Sequence, residues 1–301
     1  MPVNRRAVIA AAALAPLASR IVRADEPLIR RPIPSTGEML PAMGIGTSRR
    51  YEVEPTPEKV APLKEAVQTF LRLGGSVIDT APSYGTAEDV LGVILAEPGL
   101  RRNVFLASKV DTTGREATRA EFERSLKRMK VETLDLVAVH NLIDVNDNLP
   151  VLRDLKAEKK IRYVGVTVWR DNQLDALEAV MKRETLDFIQ VNYAIDNRAA
   201  AERILPLAAD RGMAVMTNVP FGRDRLFKAV QGKELPAVAK DLGCTSWPQV
   251  FLKYVLGNPA VTCPIPGMAK AAYVEDNLAA ARGRLPDAAQ RKQMETFIDA
   301  V

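Results

Sequence analysis

Four side chains that could together move a proton are Asp79, Tyr84, Lys109 and His140. A free tyrosine has a pKa of about 10, and proton donation to a carbonyl oxygen works best when the pKa of the donor lies near the working pH. A lysine beside the tyrosine stabilises the tyrosinate and lowers that pKa, while an aspartate holds the lysine in place. A histidine opposite can hydrogen-bond the substrate oxygen. These residue types predict a proton-delivery site for carbonyl reduction or its reverse.

His140 is the only histidine among 301 residues, and it ends the apolar run LDLVAVH. A single histidine is more often a core residue bonded to a backbone carbonyl than a functional one, so its position in the fold decides between the two roles. None of the four side chains can donate a hydride, so a bound cofactor has to supply it. We therefore expect a nucleotide pocket beside these residues.

The elements that must position these residues alternate between strand and helix along the chain. The β-rich runs are AMGIGT, SVIDT, VFLASK, LDLVAVH, YVGVTV, DFIQVN, AVMTNV and VTCPIP. Helical patterns between them are PEKVAPLKEAVQTFLRLGG, AEFERSLKRMK, NQLDALEAVMKRE and AERILPLAADRG. Eight β units that alternate with helices predict an α/β fold of the (β/α)8 TIM barrel type. The alternative, a doubly wound open sheet, would be expected to carry a GxGxxG turn after its first strand, and MGIGTSRR is not one.

A barrel of this type places its active site at the C-terminal ends of the strands. Polar residues recur at those ends in chain order: Thr47, Asp79, Lys109, His140, Thr167, Gln190, Asn192 and Asn218. Thr47 and Asn218 could simply terminate their strands. An acid, a lysine and a histidine that close three successive strands are expected to meet at one pocket. Tyr84, five residues after Asp79, lies on the loop that leaves the same strand.

Three segments resemble the motifs of a known family, the aldo-keto reductases. GGSVIDTAPSYGTAEDVLG resembles the signature around the catalytic aspartate and tyrosine of that family, VFLASKV its lysine strand and LDLVAVHNLID its histidine strand. The resemblance runs from about Met43 to Asn277. It implies that Tyr84 is the general acid, that Lys109 and Asp79 adjust the pKa of Tyr84, and that His140 orients the carbonyl.

The same resemblance implies where a nicotinamide cofactor binds. In FIQVNY, Gln190 matches the glutamine that binds the nicotinamide amide. In GVTVW, Thr167 stands where many members of the family have a serine, and Val168 stands where they have an asparagine. TNVPFGR resembles the loop that holds the pyrophosphate, with Asn218 in place of a tyrosine that often stacks on the nicotinamide. The predicted cofactor-binding residues are Thr47, Thr167, Gln190, Asn218, Phe221, Gly267, Lys270 and Asn277, and no metal is expected.

The loop and helix IPGMAKAAYVEDNLAA resemble the segment that holds the adenosine 2'-phosphate. Asn277 matches the adenine-side asparagine, whereas Tyr273 stands where an arginine usually binds the phosphate, which leaves Lys270 as the nearby cation. A lysine holds a phosphate less tightly than a bidentate arginine does. We expect NADP(H) as the cofactor, with NAD as the alternative.

The N-terminus has the features of a secretory leader. Arg5 and Arg6 precede an apolar run from Ala7 to Ala18, which is shorter than the roughly 20 residues that a membrane-spanning helix needs. Paired arginines at this place indicate the twin-arginine route and therefore the periplasm. The predicted division of the chain is a signal peptide over residues 1–24 and a single aldo-keto reductase domain over residues 25–301.

Loss of residues 1–24 would remove four arginines and no acid, so the formal charge of +5 would fall by four to +1. That balance and the lack of a basic stripe argue against nucleic acid as a partner. Hydrophobic content of 47% and charged content of 26% are ordinary for a soluble globular protein. Cys244 and Cys263 are expected to be free, buried thiols. We expect a monomer without a membrane span and a small carbonyl compound as substrate.

Two classes of function are compatible with these features. The first is an exported, NADP-linked carbonyl reductase. The second is a sensory or regulatory subunit that binds a nicotinamide nucleotide but has little turnover. The complete set of four catalytic residue types favours the enzyme, whereas Val168, Asn218 and Tyr273 depart from the family pattern at the cofactor site. Trp169 and Phe221 could line the pocket, and no residue identifies the substrate.

Overall fold

The structure, a computed structural model, describes residues 26–301. The predicted leader, residues 1–24, lies outside the described residues. Within them, eight parallel strands form one sheet in which strands consecutive along the chain are neighbours. These strands are β3 (Gly44–Gly46), β4 (Val77–Asp79), β5 (Phe105–Val110), β6 (Leu134–His140), β7 (Ile161–Thr167), β8 (Phe188–Asn192), β9 (Ala214–Asn218) and β10 (Cys263–Pro264). Each of the eight β-rich runs overlaps one of them.

The first and last strands of the sheet meet and close it into a barrel. Gly46 on β3 forms a parallel bridge with Gly267, and its N–H donates to the carbonyl of Pro266 at 2.9 Å. A Cβ at position 46 would lie 2.5 Å from the carbonyl oxygen of Ile265, so only glycine permits this approach. The (β/α)8 TIM barrel is therefore confirmed, and the open doubly wound sheet is excluded.

Helices follow the strands and cover the barrel. They are α1 (Pro57–Arg72), α2 (Ala87–Leu95), α3 (Arg115–Met129), α4 (Val145–Ala157), α5 (Leu174–Arg183), α6 (Ala199–Asp210), α7 (Arg225–Ala229), α8 (Ala237–Asp241), α9 (Trp247–Leu256), α10 (Ala271–Ala280) and α11 (Ala288–Asp299). The connection between β9 and β10 carries α7 and α8 in addition to α9. Residues 219–224, directly after β9, belong to this long connection and reach the mouth of the barrel.

Helix α1 shows how the sequence produces these elements. Pro57 occupies the first turn, where its missing N–H costs nothing. Val60, Leu63, Val67 and Phe70 recur at intervals of three and four residues and are buried, so one apolar face of the helix packs on the barrel. The helix ends at Arg72, just before Gly74 with a φ of 95°.

The interior of the barrel is packed with side chains. The rings of Phe105, Tyr163 and Phe188 pack together, with centroids 5.6 to 5.9 Å apart. A two-stranded antiparallel hairpin, β1 (Arg30–Pro32) and β2 (Met39–Pro41), adds Ile33 and Leu40 to this cluster and closes one end of the barrel. The hairpin was not among the expected strands. The C-terminal ends of the strands lie at the opposite end of the barrel, which is open.

The two cysteines are free and buried, as expected, with Cys263 inside the barrel. Among residues 26–301, no helix is both long and apolar enough to cross a membrane.

Candidate active site

The strand register brings the predicted residues to one end of the barrel. His140 on β6 pairs with Thr167 on β7, and Thr167 pairs with Gln190 on β8. Asp79 is the last residue of β4, and Lys109 is the second-last residue of β5. The parallel strands thus present these side chains around the same mouth, as the barrel model required.

Lys109 and Asp79 form a buried ion pair. The Lys109 Nζ donates to Asp79 Oδ2 at 2.8 Å and to the carbonyl of Thr80 at 2.7 Å. Both side chains are almost fully buried, 1% and 5% exposed respectively. Burial alone would lower the pKa of Lys109, but its interactions with Asp79 and Tyr84 outweigh burial and raise that pKa. Lys109 therefore stays a cation inside the protein.

Tyr84 lies against this pair on the loop after β4. The Lys109 Nζ is 5.0 Å from the centroid of the Tyr84 ring, and the ring meets His140 edge-on, with centroids 5.9 Å apart. Burial raises the pKa of Tyr84, and the charge of Lys109 offsets only part of that effect. The expectation of a net lowering toward neutral was therefore wrong, because desolvation of the phenolate exceeds the stabilisation that one cation gives. The phenol holds its proton at neutral pH and can donate it.

His140 is held by an acid that the sequence analysis missed. Its Nδ1 lies 3.1 Å from Asp111 Oδ2, and Ser83 Oγ is 3.4 Å from the same nitrogen. The hydrogen bond from His140 holds the pKa of Asp111 below its usual range, so Asp111 is a carboxylate at neutral pH. An ionised carboxylate only accepts hydrogen bonds, so Nδ1 must carry a proton and Nε2 is the nitrogen left for a ligand. The signal was available, since Asp111 directly follows the end of β5.

Gln190 links the proton-transfer residues to the predicted cofactor residues. Its Nε2 donates to Asp79 Oδ1 at 3.0 Å, and its Oε1 accepts from Thr167 Oγ1 at 2.8 Å. Thr47, fully buried, donates from Oγ1 to the carbonyl of Asp79 at 3.0 Å. Gln190 and Thr47 thus also fix the position of Asp79, a role that the sequence did not suggest.

Asn218 provides a polar group to the floor of the pocket. Its Nδ2 donates to the carbonyl of Val168 at 3.0 Å, while its Oδ1 is buried without a hydrogen-bond partner. A buried acceptor without a partner is costly unless a ligand donates to it. The side chain of Val168, by contrast, is fully buried and offers nothing to a ligand. Asn218 Oδ1 fits an amide or hydroxyl donor of a bound molecule.

Most of the predicted site residues line one cavity of about 460 Å³. Its wall includes Tyr84, His140, Asp79 and the predicted cofactor residues Thr47, Thr167, Gln190, Asn218, Phe221 and Gly267. Trp169 also lines it, as expected. Residues 26–301 hold no cluster of three or more histidine, cysteine or acidic side chains that could bind a metal.

Two predicted cofactor residues do not line this cavity. Lys270 is the residue before α10, exposed, with its Nζ 5.6 Å from the centroid of the Tyr273 ring. Asn277 is buried within α10. Both lie beyond Gly267, which lines the cavity, so they could only meet a ligand that extends out of it past the start of α10.

Comparison with known proteins identifies a family. The model of the Aldo/keto reductase family matches residues 42–296. The chain is 31% identical over 252 residues to methylglyoxal reductase YeaE of Escherichia coli (strain K12). That alignment covers 80% of this chain and 85% of the relative. It is 33% identical over 167 residues to aldo-keto reductase YhdN of Bacillus subtilis (strain 168), an alignment that spans half of each chain.

Solved structures agree with the fold. An aldo-keto reductase from Klebsiella pneumoniae in complex with NADPH superposes with a TM-score of 0.75 at 25% identity. The superposition covers 90% of this chain and 95% of that one.

Proposed function

The chain belongs to the aldo/keto reductase family, and on that premise we propose that it reduces aldehydes or ketones to alcohols with NADPH, NADH being the alternative donor. The observation that carries the proposal is the meeting of Tyr84, Lys109, Asp79 and His140 around one cavity. Tyr84, His140 and Asp79 line the cavity, and Lys109 lies against the Tyr84 ring, 5.0 Å from its centroid.

In this proposal Tyr84 donates the proton to the carbonyl oxygen. Lys109 is close enough to stabilise the phenolate that remains, because its Nζ is 5.0 Å from the ring centroid and its charge is buried. Asp79 keeps Lys109 in place and ionised. In the imidazolium form of His140, Nε2 donates to the same carbonyl oxygen and sets its direction, while Asp111 accepts from Nδ1 and holds the ring from the other side.

The residues at the floor of the cavity fit a nicotinamide nucleotide. When bound, the reduced nicotinamide supplies the hydride that none of these side chains can supply. Asn218 Oδ1, buried without a partner, is an acceptor suited to the carboxamide. Thr167 and Gln190 would hold the ring from the neighbouring strands, and Gly267 and Lys270 would meet the phosphate end. The relative in complex with NADPH supports NADP(H) as the cofactor.

A reactive carbonyl compound is the first substrate to test. YeaE is named a methylglyoxal reductase, so methylglyoxal and phenylglyoxal are suitable probes. Purified protein is mixed with NADPH and each probe, and the loss of nicotinamide absorbance is followed. Turnover that needs both components supports the reductase. Binding of NADPH without reduction of any carbonyl would instead favour the sensory or regulatory subunit.

We also propose that the protein is exported to the periplasm by the twin-arginine route. The support is the arginine pair Arg5 and Arg6 before an apolar run. That route exports folded proteins, so the cofactor could be loaded before export. Replacing both arginines with lysine should leave uncleaved protein in the cytoplasm, and normal processing of that variant in cell fractions would contradict the route.

A further inference from the structure

Arg128, near the end of α3, contacts the loop that carries Tyr84. That loop covers residues 80–86, between β4 and α2. The guanidinium of Arg128 donates from Nη2 to the carbonyl of Gly85 and from Nη1 to the carbonyl of Pro82, the latter at 3.4 Å. These two carbonyls lie on either side of Tyr84 in the chain. One side chain from a neighbouring helix thus holds both flanks of the segment that contains the proton donor.

Two acids at the start of α2 fix the guanidinium in place. Arg128 Nη2 lies 2.9 Å from Asp89 Oδ2, and Nε donates to the same oxygen at 3.1 Å. Arg128 Nη1 lies 3.4 Å from Oε2 of Glu88, whose side chain is fully buried. A buried acid that faces an arginine holds it there, because a displaced arginine would leave the acid unpaired. The planar guanidinium therefore presents its remaining donors to the loop in one orientation.

The same buried acid also contacts the strand that carries Lys109. Oε1 of Glu88 accepts from Ser108 Oγ at 2.9 Å, and both side chains are buried. Successive side chains of a strand point to opposite faces, so Ser108 meets α2 on the outside of the barrel while Lys109 points inside. Glu88 thus joins β5 to Arg128. The position of Tyr84 relative to Lys109 is set from outside the barrel.

Helices α2 and α3 pack closely at Arg128. A Cβ at Gly92 of α2 would lie 2.1 Å from the carbonyl oxygen of Arg128, so only glycine permits this approach. The loop also has an attachment that does not involve α3, because Thr86 Oγ1 donates to the carbonyl of Val53 at 2.6 Å. Loss of the Arg128 side chain should therefore loosen the loop without releasing it.

We propose that Arg128 is a positioning residue for carbonyl reduction, which holds the hydroxyl of Tyr84 where it meets both Lys109 and the substrate oxygen. Arg128 lies outside the wall of the cavity and acts through the backbone on either side of Tyr84. A displacement of about 1 Å at a reacting group can cost about a hundredfold in rate. This inference rests on the reductase function proposed above and adds a residue to its machinery.

The test compares kcat with KM for reduction of methylglyoxal by NADPH. Arg128→Ala should lower kcat by between about tenfold and about a hundredfold. KM for methylglyoxal and the dissociation constant of NADPH should change less than about threefold, because the residues that bind both molecules are untouched. Guanidinium ion added to Arg128→Ala should restore part of kcat, since it can occupy the vacated site and donate to the same carbonyls. Urea at the same concentration carries no charge for the two acids and should not.

A matched control removes another arginine ion pair from α3. Arg119→Ala breaks the two hydrogen bonds from Arg119 to the carboxylate of Glu158 on the surface, and kcat should stay as in the parent protein. A fall in kcat for Arg128→Ala no larger than that for Arg119→Ala would overturn the inference. So would an effect of Arg128→Ala that lies mainly in KM or in NADPH affinity.

A second variant covers the case in which Arg128→Ala does not fold. Arg128→Lys keeps a cation beside Glu88 but has no fork that reaches both loop carbonyls and both acids. Its kcat should still fall by at least about threefold with KM little changed. A kcat equal to that of the parent protein in Arg128→Lys would overturn the role of the guanidinium.

Hydrogen exchange followed by mass spectrometry distinguishes failure of this inference from failure of the reductase proposal. The amides of Tyr84 and Ala87 donate to the carbonyls of Ala81 and Tyr84 at 3.1 and 2.9 Å. Both amides should exchange faster in Arg128→Ala, whereas those of β6 should exchange as in the parent protein. If the parent protein reduces no carbonyl, the reductase proposal fails and this measurement still decides. Faster exchange confined to the loop supports the positioning role of Arg128, and unchanged exchange there overturns it.

Discussion

Asp111 Oδ2 lies 3.1 Å from Nδ1 of His140, the only histidine of the chain. Because the carboxylate can only accept, the proton of a neutral imidazole is fixed on Nδ1, and Nε2 has no hydrogen to give. Nε2 donates to a carbonyl oxygen only when the ring is protonated. The carbonyl-binding role of His140 therefore requires the doubly protonated ring.

We expect kcat/KM for carbonyl reduction to fall with rising pH, because loss of the second ring proton leaves Nε2 with no hydrogen to donate. Asp111→Asn should flatten this profile, because the amide can donate to Nδ1 and leave a proton on Nε2 of the neutral ring. The other polar groups that face the ring, Ser83 and the phenol of Tyr84, are unchanged in this variant.

Two further variants complete the measurement of this pH profile. Asp111→Ala, which releases the ring, should lower kcat/KM by up to about a hundredfold. Asp147→Asn, an exposed acid on α4, is the control for loss of a negative charge. Parallel profiles for the parent protein and Asp111→Asn would contradict the role assigned to Asp111.

Among single substitutions at the site, those that break the buried pair of Lys109 and Asp79 should lower the free energy of unfolding most. Asp79→Asn leaves a buried cation without its counter-charge and should cost about 3 to 5 kcal/mol. The double variant Asp79→Asn with Lys109→Met should recover much of that loss, because neither charge is then buried alone. Urea unfolding of the single and double variants measures this coupling.

A surface pair serves as the comparison. Lys64 and Glu97 are 2.6 Å apart but 35% and 43% exposed, so Glu97→Gln should cost no more than about 1 kcal/mol. Since the pKa of Lys109 is raised by folding, its stabilisation is complete below the unfolded pKa and is lost only as the pH rises through the folded pKa. The cost of Asp79→Asn should therefore be undiminished at neutral pH. An Asp79→Asn cost as small as that of Glu97→Gln would contradict the burial of an ionised pair.

The phenol of Tyr84 should ionise above the ordinary tyrosine pKa of about 10, because burial raises the pKa more than Lys109 lowers it. The difference between the ultraviolet pH titrations of the parent protein and of Tyr84→Phe isolates this one group. Lys109→Met should move its midpoint to higher pH, since the cation that favours the phenolate is gone. A midpoint below 10 in the parent would show that Lys109 outweighs burial.

Lys270 should give a modest preference for NADPH over NADH. A lysine that meets a phosphate near the surface is worth about 1 to 2 kcal/mol, or roughly a tenfold ratio of dissociation constants. Lys270→Ala should remove most of that ratio, whereas Lys182→Ala on α5 should leave it unchanged. Equal affinities for the two nucleotides in the parent protein would remove the phosphate role of Lys270.

Much of the fold was predictable because each barrel strand is a short apolar run that ends in a polar residue. All eight runs overlap a barrel strand, and the polar residues near the ends of those runs correctly predicted that Asp79, Lys109, His140 and Gln190 meet at one end of the barrel. The hairpin was missed because its strands have three residues each, with sequences RRP and MLP that lack a β-rich pattern. The hairpin is held by the packing of Ile33 and Leu40 against the barrel, and the local sequence does not predict such a contact.

Other features depend on distances that the sequence does not contain. Asp111 directly follows β5, but only the pairing of β5 with β6 brings its carboxylate to His140. The direction in which the pKa of Tyr84 shifts depends on how completely the ring is buried. The monomeric state stays a prediction.

Tyr84→Phe is the most direct test of the central claim that Tyr84 gives its proton to the carbonyl oxygen. The change removes one hydroxyl and leaves the ring that packs on Lys109 and His140. NADPH affinity should barely change, and Tyr163→Phe, whose hydroxyl lies at the hairpin end near Thr36, controls for loss of a phenol elsewhere. The measurement is kcat for reduction of methylglyoxal or phenylglyoxal under saturating NADPH. We predict a fall on the order of 10² to 10⁴ for Tyr84→Phe, whereas reduction as fast as in the parent protein would contradict the mechanism.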